Sequence, residues 1–103
     1  MIAGALAVQV SVKFFTALRE IVGKKEEMLT FKDSKTVTVD AVLKKLMQRY
    51  GKSFREYVCD SKTGEVRSFL QFLVNGRSTT ETELGTKLKD GDILAIVPPV
   101  GGG

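Results

Sequence analysis

The chain has 103 residues, 43% hydrophobic and 27% charged, with a net charge of +4, 10 glycines, one cysteine, no histidine and no tryptophan. Those figures describe one globular domain, long enough to bury roughly two-thirds of its unfolded surface around a single core. Without histidine there is no Cys/His zinc site and no Ser-His or Cys-His nucleophile pair, and one cysteine makes no internal disulfide.

In chain order, residues 1–7 are apolar but lack the positive n-region and long apolar run of a secretory signal. They read as an N-terminal extension, and no stretch approaches the ~20 apolar residues of a membrane span. A cytoplasmic location and no membrane partner are expected. Val8, Val10, Val12 and Phe14 alternate with Gln9, Ser11 and Lys13, the period of a half-buried strand. Residues 15–21 read as a short helical turn closed by Gly23. A second strand follows at residues 26–31, with Met28 and Leu29 as its apolar members, and the pair forms a hairpin.

Residues 33–35 are a polar break. Thr38 is a candidate N-cap, with Asp40 placing negative charge in the first turn. Val39, Val42, Leu43, Leu46, Met47 and Tyr50 recur at helical spacing and form one apolar stripe. Lys44, Lys45 and Arg49 lie off it, and Gly51 supplies a left-handed cap. Residues 60–64 read as a turn between two short extended pieces. The run 69–74 is a strand ending at the Asn75-Gly76 turn. Leu84 and Leu88 are isolated apolar anchors, and Asp90-Gly91 is a second tight turn. Residues 93–97 are five consecutive apolar residues, a strand buried on both faces. Pro98 and Pro99 stop it, because proline donates nothing to a ladder.

Strand, strand, helix, strand, short elements and a fully apolar last strand imply a mixed sheet of four to five strands packed on one main helix. That is an α+β architecture, the β-grasp or ubiquitin-like fold, over residues 8–99, followed by a flexible glycine tail at 100–103. Phe14, Phe31, Phe69, Phe72, Met28 and Met47 read as core. Cys59, flanked by Tyr57 and Val58, reads as a partly buried strand residue behaving as a small hydrophobe. The basic residues are interspersed with acidic ones and carry no aromatic interleaving, so no direct nucleic-acid partner is expected.

With no histidine and no paired carboxylates, the tail Gly101-Gly102-Gly103 is the best candidate for chemistry. Glycine lets a backbone adopt any conformation and approach another surface closely. Residues 100–103, fully extended, reach roughly 13 Å. Such a tail can thread a narrow channel and present the Gly103 α-carboxylate to another protein's active site. A carboxylate is a poor electrophile; transfer to AMP gives it a leaving group that sulfur or an amine can displace.

The run Leu88-Lys89-Asp90-Gly91-Asp92-Ile93-Leu94-Ala95-Ile96-Val97-Pro98-Pro99-Val100-Gly101-Gly102-Gly103 resembles the end of the small subunit of molybdopterin synthase. Residues 12–23 and Val74-Asn75-Gly76-Arg77 are similar to two further stretches of that family, so the likeness spans residues 8–103. The resemblance implies a sulfur carrier of the ubiquitin-like class, with no active site and no bound cofactor or metal of its own. An E1-like adenylating enzyme would use ATP on Gly103, and a sulfurtransferase would supply the sulfur of a thiocarboxylate. The tail, with Gly101 and Gly102 giving steric clearance, would enter the large subunit of molybdopterin synthase and donate sulfur to molybdopterin. By position, Arg19, Val97, Pro98, Pro99 and Val100 would contact these partners. Gly101 replaces another small residue, Val97 stands where an aromatic is common, and residues 60–67 are longer than in compact members. The same tail also fits two alternatives, a ubiquitin-like modifier conjugated to lysines and a sulfur donor for transfer-RNA thiolation. A binding-only β-grasp domain is a third.

Overall fold

Alternation in the first strand sets the architecture. In the computed structural model, which describes residues 7–32, 36–67, 69–78 and 83–98, strand β1 (Ala7–Phe14) turns Val10, Val12 and Phe14 inward, each fully buried. Helix α1 (Thr16–Val22) follows, its end closed by Gly23 in the left-handed conformation (φ +82°) with its N–H on the Arg19 carbonyl. Strand β2 (Glu26–Lys32) returns antiparallel to β1, as the hairpin reading expects.

The inward face of β2 differs from the sequence reading. Leu29 pairs with Val10 and Glu27 with Val12, so these two point into the core and Met28, opposite Ser11, points out, 55% exposed. A strand cannot bury adjacent residues on one face, because its side-chain period is two. Glu27 is nevertheless buried, at the edge of the core, held by ion pairs to Lys24 and Arg49 and a hydrogen bond from the Tyr50 hydroxyl. A buried carboxylate needs such partners to offset its lost hydration.

After a two-residue strand β3 (Val37–Thr38), helix α2 (Val39–Tyr50) starts as expected: the Thr38 hydroxyl accepts the Ala41 N–H at 3.2 Å. Val39, Val42, Leu43 and Leu46 are fully buried on the sheet, with Met47 and Tyr50 packed beside them. Gly51 departs from the expectation. Its φ of +78° and ψ of −147° lie outside the left-handed helical well, in a region open essentially to glycine. That conformation ends α2 and immediately starts a helix α3 (Lys52–Val58), where an extended piece was expected. Phe54 and Val58 of α3 are fully buried, and Phe14, Tyr50 and Phe54 form an edge-packed aromatic group. Beyond α3 the chain turns at 61–63, as anticipated, and Cys59 bridges Val66.

Strands β4 (Gln71–Val74) and β5 (Arg77–Ser78) form a hairpin over Asn75 and Gly76. A single 3-10 turn (Glu83–Gly85) and strand β6 (Lys87–Leu88), which pairs β3, lead to strand β7 (Ile93–Val97). The five-stranded sheet runs β2-β1-β7-β4-β5, with β7 parallel to β1 and antiparallel to β4. This is the mixed sheet and main helix of the β-grasp fold, with two further seven-residue helices.

Strand β7 lies at the centre of the sheet, but the expected burial on both its faces is not found. All three helices contribute buried side chains to one core, which takes Leu94 and Ile96, while Ile93 is 37% exposed and Ala95 and Val97 are half-buried. Phe14 and Phe72 are core residues, and Phe31 and Met47 pack against the core partly buried. Phe69 is 44% exposed instead, lying on Tyr57 with ring centroids 6.0 Å apart. The polar break at 33–35 and residues 1–6 of the expected N-terminal extension lie outside the described residues, and Ala7, its last residue, begins β1.

Candidate functional site

The residues of the terminal motif separate in space into two ends of one strand. At the start of β7, the turn at residues 89–92 is tied to β1 and to the β4–β5 hairpin. The Asp92 carboxylate accepts from Lys89 N at 2.8 Å and from Asn75 Nδ2 at 3.0 Å, while Asn75 Oδ1 accepts from Ile93 N at 2.9 Å. Asp90 Oδ1 accepts from Gln9 N, and Gly91 N donates to Gln9 O, both at 2.8 Å. Asn75 (φ +52°) and Gly76 (φ +85°) make a two-residue turn with both φ values positive, the twist a hairpin needs. Asn tolerates that conformation better than other residues with a side chain. The most recognisable letters of the sequence, Asp90-Gly91-Asp92 and Asn75-Gly76, therefore fix the register of the central strand.

The other end of β7 is where the tail departs. Because β1 and β7 are parallel, both strands run out on the same side of the sheet, with Phe14 opposite Ile96. Val97 is opposite Gln71 at the start of β4 and looks toward the open face; Pro98 is buried and ends the ladder. Arg19 is exposed at this same end. Its Nε donates to the Phe14 carbonyl at 3.4 Å, and its guanidinium lies 5.9 Å from the centroid of the Phe15 ring. Thr16, between them in sequence, has φ +47°, a costly conformation for a β-branched residue. Of the expected contact residues, Val97 and Pro98 end β7, while Arg19 is held at the corresponding end of the neighbouring β1. Pro99, Val100, Gly101, Gly102 and Gly103 lie outside the described residues.

The open face of the sheet carries Val97 at this exit, Ala95 between Leu73 of β4 and Lys13 of β1 further in, and, at the opposite end of β7, Ile93 and, across Ser11, Met28 of β2. Met28 belongs to this surface, against the expectation of a core residue; the period of two from inward Leu29 places Met28 outward and Glu27 inward.

Cys59 is buried and ends α3, its Sγ 3.8 Å from Met47 Sδ. Burial pushes its pKa up, and the nearby Arg55 and Arg67 guanidinium groups oppose that only partly. A protonated, buried thiol is unreactive, which fits a packing role. It borders a cleft of about 820 Å³ with Met47, Lys52, Arg55 and Asp60, none of which belongs to the strand end. No described helix is long and apolar enough to cross a membrane. Among the described residues no three Cys, Asp or Glu side chains form a metal-binding group.

The sequence model of the ThiS family matches residues 12–103 of this chain. Small archaeal modifier protein 3 of Haloferax volcanii is 33% identical over 96 residues, covering 92% of this chain and 99% of the relative. A putative sulfur carrier protein of Archaeoglobus fulgidus is 35% identical over 72 residues, covering 69% of this chain and 80% of the relative. Among solved structures, the small archaeal modifier protein 1 of Methanosarcina acetivorans superposes with a TM-score of 0.77 at 29% identity, over 95% of this chain and 99% of that one.

Proposed function

The chain belongs to the ThiS family of ubiquitin-like sulfur carriers, and from that premise we propose that its Gly103 carboxylate is the group that is activated and carried. The observation that supports this best is that the family match runs unbroken from β1 through the glycine tail, residues 12–103. A central strand, anchored at its start by Asp92 and Asn75, delivers the chain at Pro98 to the end of the sheet at which Arg19 is held on the neighbouring β1.

In this reading an E1-like enzyme binds ATP, and the Gly103 carboxylate attacks the α-phosphorus, releasing pyrophosphate. The resulting acyl adenylate is electrophilic. The terminal sulfur of a sulfurtransferase persulfide displaces AMP to give an acyl disulfide, and a thiol reductant cleaves its S–S bond to leave the thiocarboxylate. This chain contributes no base; its part is to hold the tail accessible, and the small Gly101 and Gly102 let it pass through a channel that a side chain would block. The thiocarboxylate then enters the large subunit of molybdopterin synthase, its sulfur bonds to the precursor of the dithiolene, and water cleaves the acyl–sulfur bond to return the Gly103 carboxylate.

A second reading has an observation of its own: the 33% identity with a small archaeal modifier over nearly its full length. There the same adenylate is attacked by a lysine ε-amine, giving an isopeptide; transfer-RNA thiolation would use the thiocarboxylate itself. The test is two-part. Chain-dependent ATP–pyrophosphate exchange by an E1-like enzyme should vanish when Gly103 is deleted; exchange that persists removes the shared first step. Cellular lysines carrying a glycine remnant of this tail, absent from a Gly103-deleted strain, would then favour conjugation over delivery to molybdopterin.

A further inference from the structure

We propose that the free edge of β2 is a self-pairing surface, complementary to the same edge of a second copy of this chain, and that Lys45 holds it shut. The inference does not depend on the tail. Strand β2 is the last strand of the sheet on its side, paired only with β1 among the described strands. The direction of its backbone groups follows from its neighbour. Gln9, the register partner of Thr30, gives its N–H to Asp90 and its carbonyl to Gly91, away from β2. In an antiparallel ladder that makes Gln9 and Thr30 a non-hydrogen-bonded pair. Thr30 therefore points its own N–H and carbonyl outward, as do Glu26, Met28 and Lys32 by alternation. An edge of this kind templates strand addition unless it is blocked.

One outward group has a partner. Lys45, reaching over from α2, donates from Nζ to the Thr30 carbonyl at 2.9 Å, and the same ammonium lies 4.8 Å from the centroid of the Phe31 ring. A single side chain thus occupies the middle acceptor of the edge and covers the inward aromatic next to it. Lysine is a common edge-blocking residue, because any incoming strand must displace and desolvate its charge.

Two copies of β2 placed antiparallel about Leu29 set Met28 against Thr30 and Glu26 against Lys32, each twice by symmetry. All four residues have outward backbone groups, so both pairs fall at hydrogen-bonding positions. Glu26 and Lys32 are exposed and carry opposite charges, the cross-strand arrangement that favours pairing. A two-fold interface is self-complementary in just this way. Loss of the Lys45 ammonium would free the Thr30 carbonyl and complete the edge.

Sedimentation of the full chain and its variants tests this, with circular dichroism as the check on folding. The wild type and Lys45→Arg are expected to sediment as monomers. Lys45→Met, which keeps the apolar stem without the charge, is expected to dimerise with a dissociation constant lowered by about tenfold or more. Lys45→Gln does the same and serves if the Met variant does not fold. Adding Thr30→Pro, which removes only an outward N–H, is expected to restore the monomer. A folded Lys45→Met or Lys45→Gln chain that remains monomeric overturns the proposal. So does association that Thr30→Pro leaves unchanged, or a wild type already paired through this edge.

Discussion

Phe14 and Ile96 face each other across the parallel pair β1–β7, both fully buried, and the Phe14 carbonyl takes the Nε–H of Arg19. Through this contact the end of the core strand and an exposed cation share one side of the sheet, where the tail leaves. Arg19→Ala should change stability by no more than about 0.5 kcal/mol, since the side chain is exposed. In chain-dependent adenylation by an E1-like enzyme it should raise KM by about tenfold, equivalent to ~1.4 kcal/mol of lost contact. An unchanged KM removes Arg19 from the partner surface.

Asn75 should matter to the fold and not to the chemistry. Asn75→Gly keeps the positive φ but loses the hydrogen bonds with Asp92 and Ile93, and should cost about 1 kcal/mol. Asn75→Ala adds the penalty of a left-handed residue with a Cβ and should cost about 2 kcal/mol. Urea unfolding measures both. Adenylation by the folded variants should match the wild type.

Glu27 is the one buried charged side chain among the described residues, and its partners lie on two other parts of the chain, Lys24 before β2 and Arg49 and Tyr50 in α2. Glu27→Gln should destabilise by about 1–3 kcal/mol by weakening charge-assisted bonds. Arg49→Gln should cost less, because Lys24 and Tyr50 still satisfy the carboxylate. Thermal unfolding of the two variants gives the order.

Cys59 predicts a pH effect with a definite sign. Its folded pKa is raised above the ordinary 9.0, so the native state holds the proton longer than the unfolded chain does. The stability this contributes is full below pH 9.0 and is lost as pH rises from there through the folded value. Cys59→Val should flatten that alkaline decline. At neutral pH the native thiol should react with iodoacetamide more slowly than the same thiol in denaturant.

The parts of the molecule that could be read from sequence are those decided by local rules. The alternation of Val10, Val12 and Phe14, the Thr38 cap, the stripe from Val39 to Tyr50 and the Asn75-Gly76 turn each depend on a few neighbouring residues. Met28 is expected in the core because hydrophobicity favours it, while the inward place of its neighbour Glu27 depends on Arg49 and Tyr50, more than 20 positions away. Helix α3 was missed because it begins at Gly51, whose unusual conformation lets one helix follow another without a loop. Ile93, Ala95 and Val97 look like a strand buried on both faces; they are apolar on an open face instead, which gives the candidate site its surface. Arg19 could be placed only once the parallel pairing of β1 and β7 had set the ends of both strands at one end of the sheet.

The central claim is that Gly103 carries sulfur. The full chain, incubated with an E1-like enzyme, ATP, a persulfide-loaded sulfurtransferase and a thiol reductant, should gain the mass difference between one sulfur and one oxygen atom. Fragmentation should place the gain on Gly103, and omitting ATP should abolish it. A chain whose mass is unchanged under conditions that support adenylate formation, or whose added sulfur maps to Cys59, would contradict the account.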